Sequence, residues 1–156
     1  MPIVEQHSLV KAIKELAPGR SGRGATAPLR ILIVDDEEPV RKFVDRVLRD
    51  AGYETSMASD GPEAIEMAGS GHTIDLLVTD VLMPHMNGDQ LARRLRQNDP
   101  GLKVLYLTGF ADQLFKDKLT LWVGEAFLDK PCGVKALQQA VSLLASGRIQ
   151  KDKPKG

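Results

Sequence analysis

Five short apolar runs alternate with helix-period stretches, and this alternation limits the chain to very few folds. The runs are RILIV (30–34), YETSMA (53–58), IDLLVT (74–79), KVLYL (103–107) and EAFLD (125–129). Most are continuous in Val, Ile and Leu rather than alternating apolar with polar, the pattern of strands covered on both faces. YETSMA is more polar, which places it near a sheet edge. Over 38–50, Val40, Phe43, Val44, Val47 and Leu48 recur at helical spacing and are expected to face inward, with Ala51-Gly52 ending the helix. Asp60 can cap a second helix, with Pro62 in its first turn, running to about Ala68. Asn87 to Gln97 form a third with Leu91 and Leu95 inward. Val134 to Ala145 form the last, with Leu137, Val141 and Leu144 on one face. Repeated strand-then-helix units imply an α/β domain with a parallel sheet and helices on both faces. Right-handed crossovers leave few ways to connect it.

Polar residues punctuate the carboxyl ends of these runs. Asp35-Asp36 follow ILIV, Asp80 follows IDLLVT, Thr108 closes KVLYL, and Lys130 follows AFLD. In one parallel sheet all of them reach the same edge, where open α/β folds bind ligands. Asp35 and Asp36 repel each other unless a hard divalent cation joins them, although an acidic helix start is the plainer reading of that pair alone. Beside such a cation, the Asp80 carboxylate could act as a nucleophile and form an aspartyl phosphate. Alone, Asp80 would read as a capping aspartate, Thr108 as an ordinary strand-end threonine and Lys130 as a surface lysine. Together, Thr108 can donate a hydrogen bond to a phosphoryl oxygen, and Lys130 supplies a compact positive charge opposite it. Pro131 holds Lys130 extended, and the bond between them is of the type that can be cis.

Composition adds boundaries and exclusions. With 156 residues and 42% hydrophobic content there is room for one domain with a real core plus tails. No apolar stretch approaches the roughly 20 residues of a membrane span, and the charged N-terminus lacks a signal-peptide core, so a cytoplasmic protein is expected. A single cysteine, Cys132, excludes an internal disulfide. Net charge is zero but uneven. Residues 1–30 hold five Lys/Arg and two Glu, residues 148–156 hold four Lys/Arg and one Asp, and residues 31–147 therefore carry −6. An acidic centre is a poor grip for nucleic acid. The organisation expected is an N-terminal extension over 1–28, a domain over 29–147 and a basic tail over 148–156. The extension holds a short helix marked by Leu9, Ile13 and Leu16, then a Gly/Pro/Arg-rich linker.

VDDE (34–37), TDVLMPHMNG (79–88), LTG (107–109) and FLDKP (127–131) stand in the order and at the intervals of a known family. Residues 30–146 resemble the receiver domain of two-component response regulators, in single-domain chemotaxis-regulator-like or hybrid-kinase-derived form. The resemblance implies a flavodoxin-like, five-stranded parallel sheet of order 2-1-3-4-5. It implies Asp80 as phosphoacceptor, Mg²⁺ held directly by Asp36, Asp80 and the Leu82 carbonyl with Asp35 helping through water, and Thr108 and Lys130 on the phosphoryl group. Thr108 and Phe127 would be the switch pair. A histidine kinase or a histidine phosphotransfer protein would be the donor, and the chain would be a signalling phosphoacceptor rather than an enzyme. A Mg²⁺-dependent phosphohydrolase with an aspartate nucleophile is the rival from another class, but it would need an acid two residues after Asp80, where Leu82 stands. A module excised from a hybrid histidine kinase is the other alternative.

Some features are this chain's own. Leu114, Phe115, Leu119, Leu121 and Trp122 gather in the segment before the fifth strand. They suggest a surface over 111–128 for a downstream protein or a homodimer. By the resemblance, Leu82 and Phe110 stand at the positions that flank the phosphoryl site, and neither can orient a water, so slow self-dephosphorylation is expected. No effector sequence is seen after Gly147, so direct DNA binding is not expected.

Overall fold

The computed structural model describes residues 27–109 and 124–146. Five strands form one parallel sheet: β1 (Arg30–Val34), β2 (Glu54–Ala58), β3 (Leu76–Asp80), β4 (Lys103–Thr108) and β5 (Glu125–Asp129). Their order is β2-β1-β3-β4-β5, and every neighbouring pair is parallel. The more polar β2 takes an edge, as its sequence implied. The four described helices are α1 (Glu38–Asp50), α2 (Gly61–Gly69), α3 (Gly88–Arg96) and α4 (Val134–Ser146). This is the flavodoxin-like arrangement.

Strand alternation splits the core in two. Ile31, Ile33, Leu76, Val78, Leu105 and Leu107 face one side, where they meet Val44, Val47 and Leu48 of α1 and Leu137, Val141 and Leu144 of α4. Leu32, Val34, Leu77, Val104 and Tyr106 face the other, against Ala64 of α2 and Leu91, Ala92 and Leu95 of α3. With apolar cover on both faces, the unbroken apolar runs are the residues such strands require.

Local signals explain the helix ends. Asp60 accepts the Glu63 N–H at 2.9 Å and caps α2. Asn87 and Gln90 form a reciprocal capping box on α3. Gly52 adopts φ 99°, closing α1 with its N–H on the Arg49 carbonyl.

Two expectations are corrected. Phe43 was expected to face inward and is instead 38% exposed. The buried face of α1 includes Asp45, which accepts the Thr55 hydroxyl at 2.6 Å and the Arg49 guanidinium at 3.0 Å, tying α1 to β2. That face leaves Phe43 on the rim. The third strand starts later than expected and includes Asp80 as its last residue. Asp75 stands before it, bonded in both directions to the Arg30 backbone. The N-terminal helix, Phe110, the Leu114–Trp122 group and the basic tail lie outside the described residues. No described helix is long and apolar enough to cross a membrane.

Candidate functional site

The expected residues meet at the carboxyl edge of the sheet, where the order turns from β1 to β3. Asp35 leaves β1 buried and Asp36 beside it is exposed. Asp80 ends β3, 5% exposed. Carboxylate oxygens from these three residues all lie within 4.8 Å of one another.

Lys130 joins them from the end of β5. Its Nζ is 3.1 Å from Asp35 Oδ2, 3.3 Å from Asp80 Oδ2 and 3.5 Å from Glu37 Oε1. The Lys130–Pro131 bond is cis, and the Lys130 N–H donates to the Thr108 carbonyl at 2.7 Å. Burial acts to lower the lysine's pKa, but Asp35 and Asp80 outweigh it and the net shift is upward. Lys130 is thus a fixed cation at this edge.

Asp35 has the opposite problem. Burial raises its carboxyl above the ordinary value, against the Glu37 N–H at 2.9 Å and Lys130, while Asp36 adds repulsion. Asp35 Oδ2 is buried without an aligned hydrogen-bond donor, although Lys130 is close enough for an ion pair. A buried carboxylate oxygen in that condition, with two more carboxylates at hand, is a donor set that fits a hard divalent cation.

Asp80 is held by its neighbours. Its Oδ1 accepts the Val81 N–H at 2.8 Å, leaving Oδ2 toward Lys130. The following loop returns at once, with the Gly88 N–H on the Val81 carbonyl at 2.8 Å. A Cβ at Gly88 would collide with the Asp80 carbonyl oxygen and come within 3.1 Å of Thr79 Cγ2. Only glycine lets α3 begin so close to the strand end. His85 in this loop takes φ 72°, which its sequence did not signal. Leu82 is 38% exposed beside the acidic group.

Thr108 reaches the same edge on β4, one position beyond Leu107, which is the register partner of Asp80. The hydroxyl donates to Asp129 Oδ1 at 2.9 Å. Phe127 is half-buried, its ring 5.6 Å from that of Tyr106. Sequence reasoning missed Asp129, Tyr106 and the buried pair Arg96–Glu125 below them. The equivalence of Thr108 and Asp129 becomes visible only once β4 and β5 are in register.

The residue pattern of the response regulator receiver domain family matches residues 31–142. Over 112 residues the chain is 38% identical to the sensor kinase CckA of Brucella abortus, covering 71% of this chain but only 12% of that kinase. It is 40% identical over 82 residues to the response regulator receiver protein CpdR of the same organism, covering 53% of this chain and 68% of that one. The crystal structure of a response regulator receiver protein from Sinorhizobium medicae superposes with a TM-score of 0.69 at 34% identity, over 78% of this chain and 97% of that one. With this fold, this edge and these relatives, the chain belongs to the response regulator receiver domain family of two-component signalling.

Proposed function

We propose that this chain receives a phosphoryl group on Asp80 and passes the signal on through protein contacts or onward phosphotransfer. The observation that carries the reading is Lys130, which bridges the Asp35 and Asp80 carboxylates at one sheet edge. A lysine held between two buried acids suits a site that will gain more negative charge.

In the reaction, an Asp80 oxygen attacks the phosphorus of a phosphohistidine. The O–P bond forms, the N–P bond breaks, and the imidazole leaves and takes up a proton. Lys130 supplies charge to the transferred phosphoryl oxygens, and Thr108 supplies a hydrogen bond. The Val81 N–H holds Asp80 Oδ1, so one carboxylate orientation is presented. Asp35, Asp36, Asp80 and the Leu82 carbonyl would hold Mg²⁺, which when bound offsets the charge of the incoming group. Phe127 would respond to Thr108. A histidine kinase or histidine phosphotransfer protein is the proposed donor, and residues 29–147 the working unit.

Acetyl phosphate with Mg²⁺ is expected to add one phosphoryl group per chain, read by intact mass, and Asp80→Asn to abolish it. Labelling that survives Asp80→Asn would overturn the assignment. Catalytic turnover of a small phosphoester would favour a hydrolase instead.

A further inference from the structure

β4 and β5 place Thr108 directly opposite Asp129. By strand alternation both side chains project to the face that holds Tyr106 and Phe127. The Thr108 hydroxyl is buried and donates to Asp129 Oδ1 at 2.9 Å. A threonine hydroxyl has one proton to donate. A carboxylate is among the strongest acceptors it can find. A phosphoryl group on Asp80 would ask for that same proton, so the two acceptors exclude each other.

We propose that Asp129 is a positioning residue that holds the Thr108 hydroxyl in the resting direction, so that a phosphoryl group on Asp80 must win it from Asp129. The inference rests on the phosphoryl reading of Asp80. Three features make the contest a switch between discrete states. The Thr108 backbone is pinned by the Lys130 N–H on its carbonyl at 2.7 Å, so redirection falls to the side chain. Threonine is stiff at χ1 and moves between staggered wells. Asp129 is exposed, so water can solvate it once Thr108 turns away. The bond therefore adds little to stability and acts chiefly on the direction of the hydroxyl. The acceptor sits one residue before Lys130, so one short segment carries both the cation that attracts the phosphoryl group and the anion that restrains its sensor.

The test uses the full chain with Mg²⁺ and beryllofluoride as the phosphoryl mimic, with affinity measured by calorimetry. Asp129→Ala is expected to tighten binding by about threefold to tenfold, the worth of one hydrogen bond removed from the resting state. Asp129→Asn keeps an acceptor and loses the charge, so it falls between wild type and the alanine variant. In a Thr108→Ala background, Asp129→Ala changes affinity by less than about twofold. Charge repulsion alone would act equally in both backgrounds, and an equal effect overturns the proposal. So does an Asp129→Ala variant that melts like wild type but binds no more tightly. If the alanine variant does not fold, Asp129→Asn decides: affinity at or below wild type overturns the proposal. Wild-type chain that binds no beryllofluoride would instead overturn the Asp80 reading beneath it.

Discussion

At the scale of single residues, the site contains a group that opposes folding. Burial lifts the Asp35 carboxyl above 3.8, so the folded chain holds that proton more tightly than the unfolded chain does. Ionised Asp35 therefore works against stability at every pH above its raised value, and the penalty is absent below 3.8. Asp35→Asn should raise Tm by roughly 2–4 °C at neutral pH without divalent cation, the shift that about 1 kcal/mol makes in a chain of this size. The gain should shrink as the pH is lowered toward 3.8, and most of the Tm rise that Mg²⁺ gives wild type should vanish in the variant. A lower Tm for Asp35→Asn at neutral pH would contradict this. Gly88→Ala acts by collision with the Asp80 carbonyl and should cost about 2 kcal/mol or more in urea denaturation. A loss under about 0.5 kcal/mol would mean that the loop yields freely. Leu82 stands exposed beside the acidic group and offers no polar atom from its side chain to aim a water. Phosphorylated chain purified away from its donor should therefore keep its label well beyond seconds, and loss within seconds without a phosphatase would refute the point.

Between elements, the connection that matters most joins α3 to β4 and β5. Arg96, the last residue of α3, donates from Nε and Nη2 to the Leu102 carbonyl at 3.1 and 2.7 Å, and from Nη1 to Glu125. The Tyr106 hydroxyl also meets Glu125, at 3.3 Å. Burial, with the Glu125 charge, pushes that phenol far above its usual range, so it stays a donor at any working pH. Arg96→Ala leaves the Glu125 carboxylate buried without its cation and should cost about 3–5 kcal/mol. Replacing both by leucine should cost clearly less than the two single changes together, and simple additivity in urea melts would show that they are not a working pair. Elements of this kind were unequally legible in the sequence. The strands could be read because β1, β3 and β4 are unbroken apolar runs and four of the five runs lead into a residue the site needs, while their order came from the family resemblance. Phe43 misled because hydrophobic periodicity cannot see that Asp45 finds Thr55 and shares the buried face. Arg96 and Glu125 are 29 residues apart, and Thr108 and Asp129 are 21 apart. Pairings at such separations are set by sheet register, and no local pattern encodes them.

Across the whole molecule, the strand order also bears on how the sheet can assemble. β1 pairs with β2 and with β3, so residues 30–80 hold three strands whose mutual pairings need nothing from later in the chain. β4 and β5 pair with each other and join the first three strands only through β3. A nucleus in residues 30–80 predicts that Val78→Ala slows refolding, whereas Leu144→Ala chiefly speeds unfolding, as stopped-flow chevrons would show. The reverse pattern would place the nucleus in the second half. The three carboxylates all belong to residues 30–80, while Lys130, their cation, comes with β5. If that nucleus forms first, three acids gather before Lys130 reaches them. Mg²⁺ should quicken refolding as well as stabilise the product, and refolding rates that ignore it would mean that the acids meet only after β5 has docked.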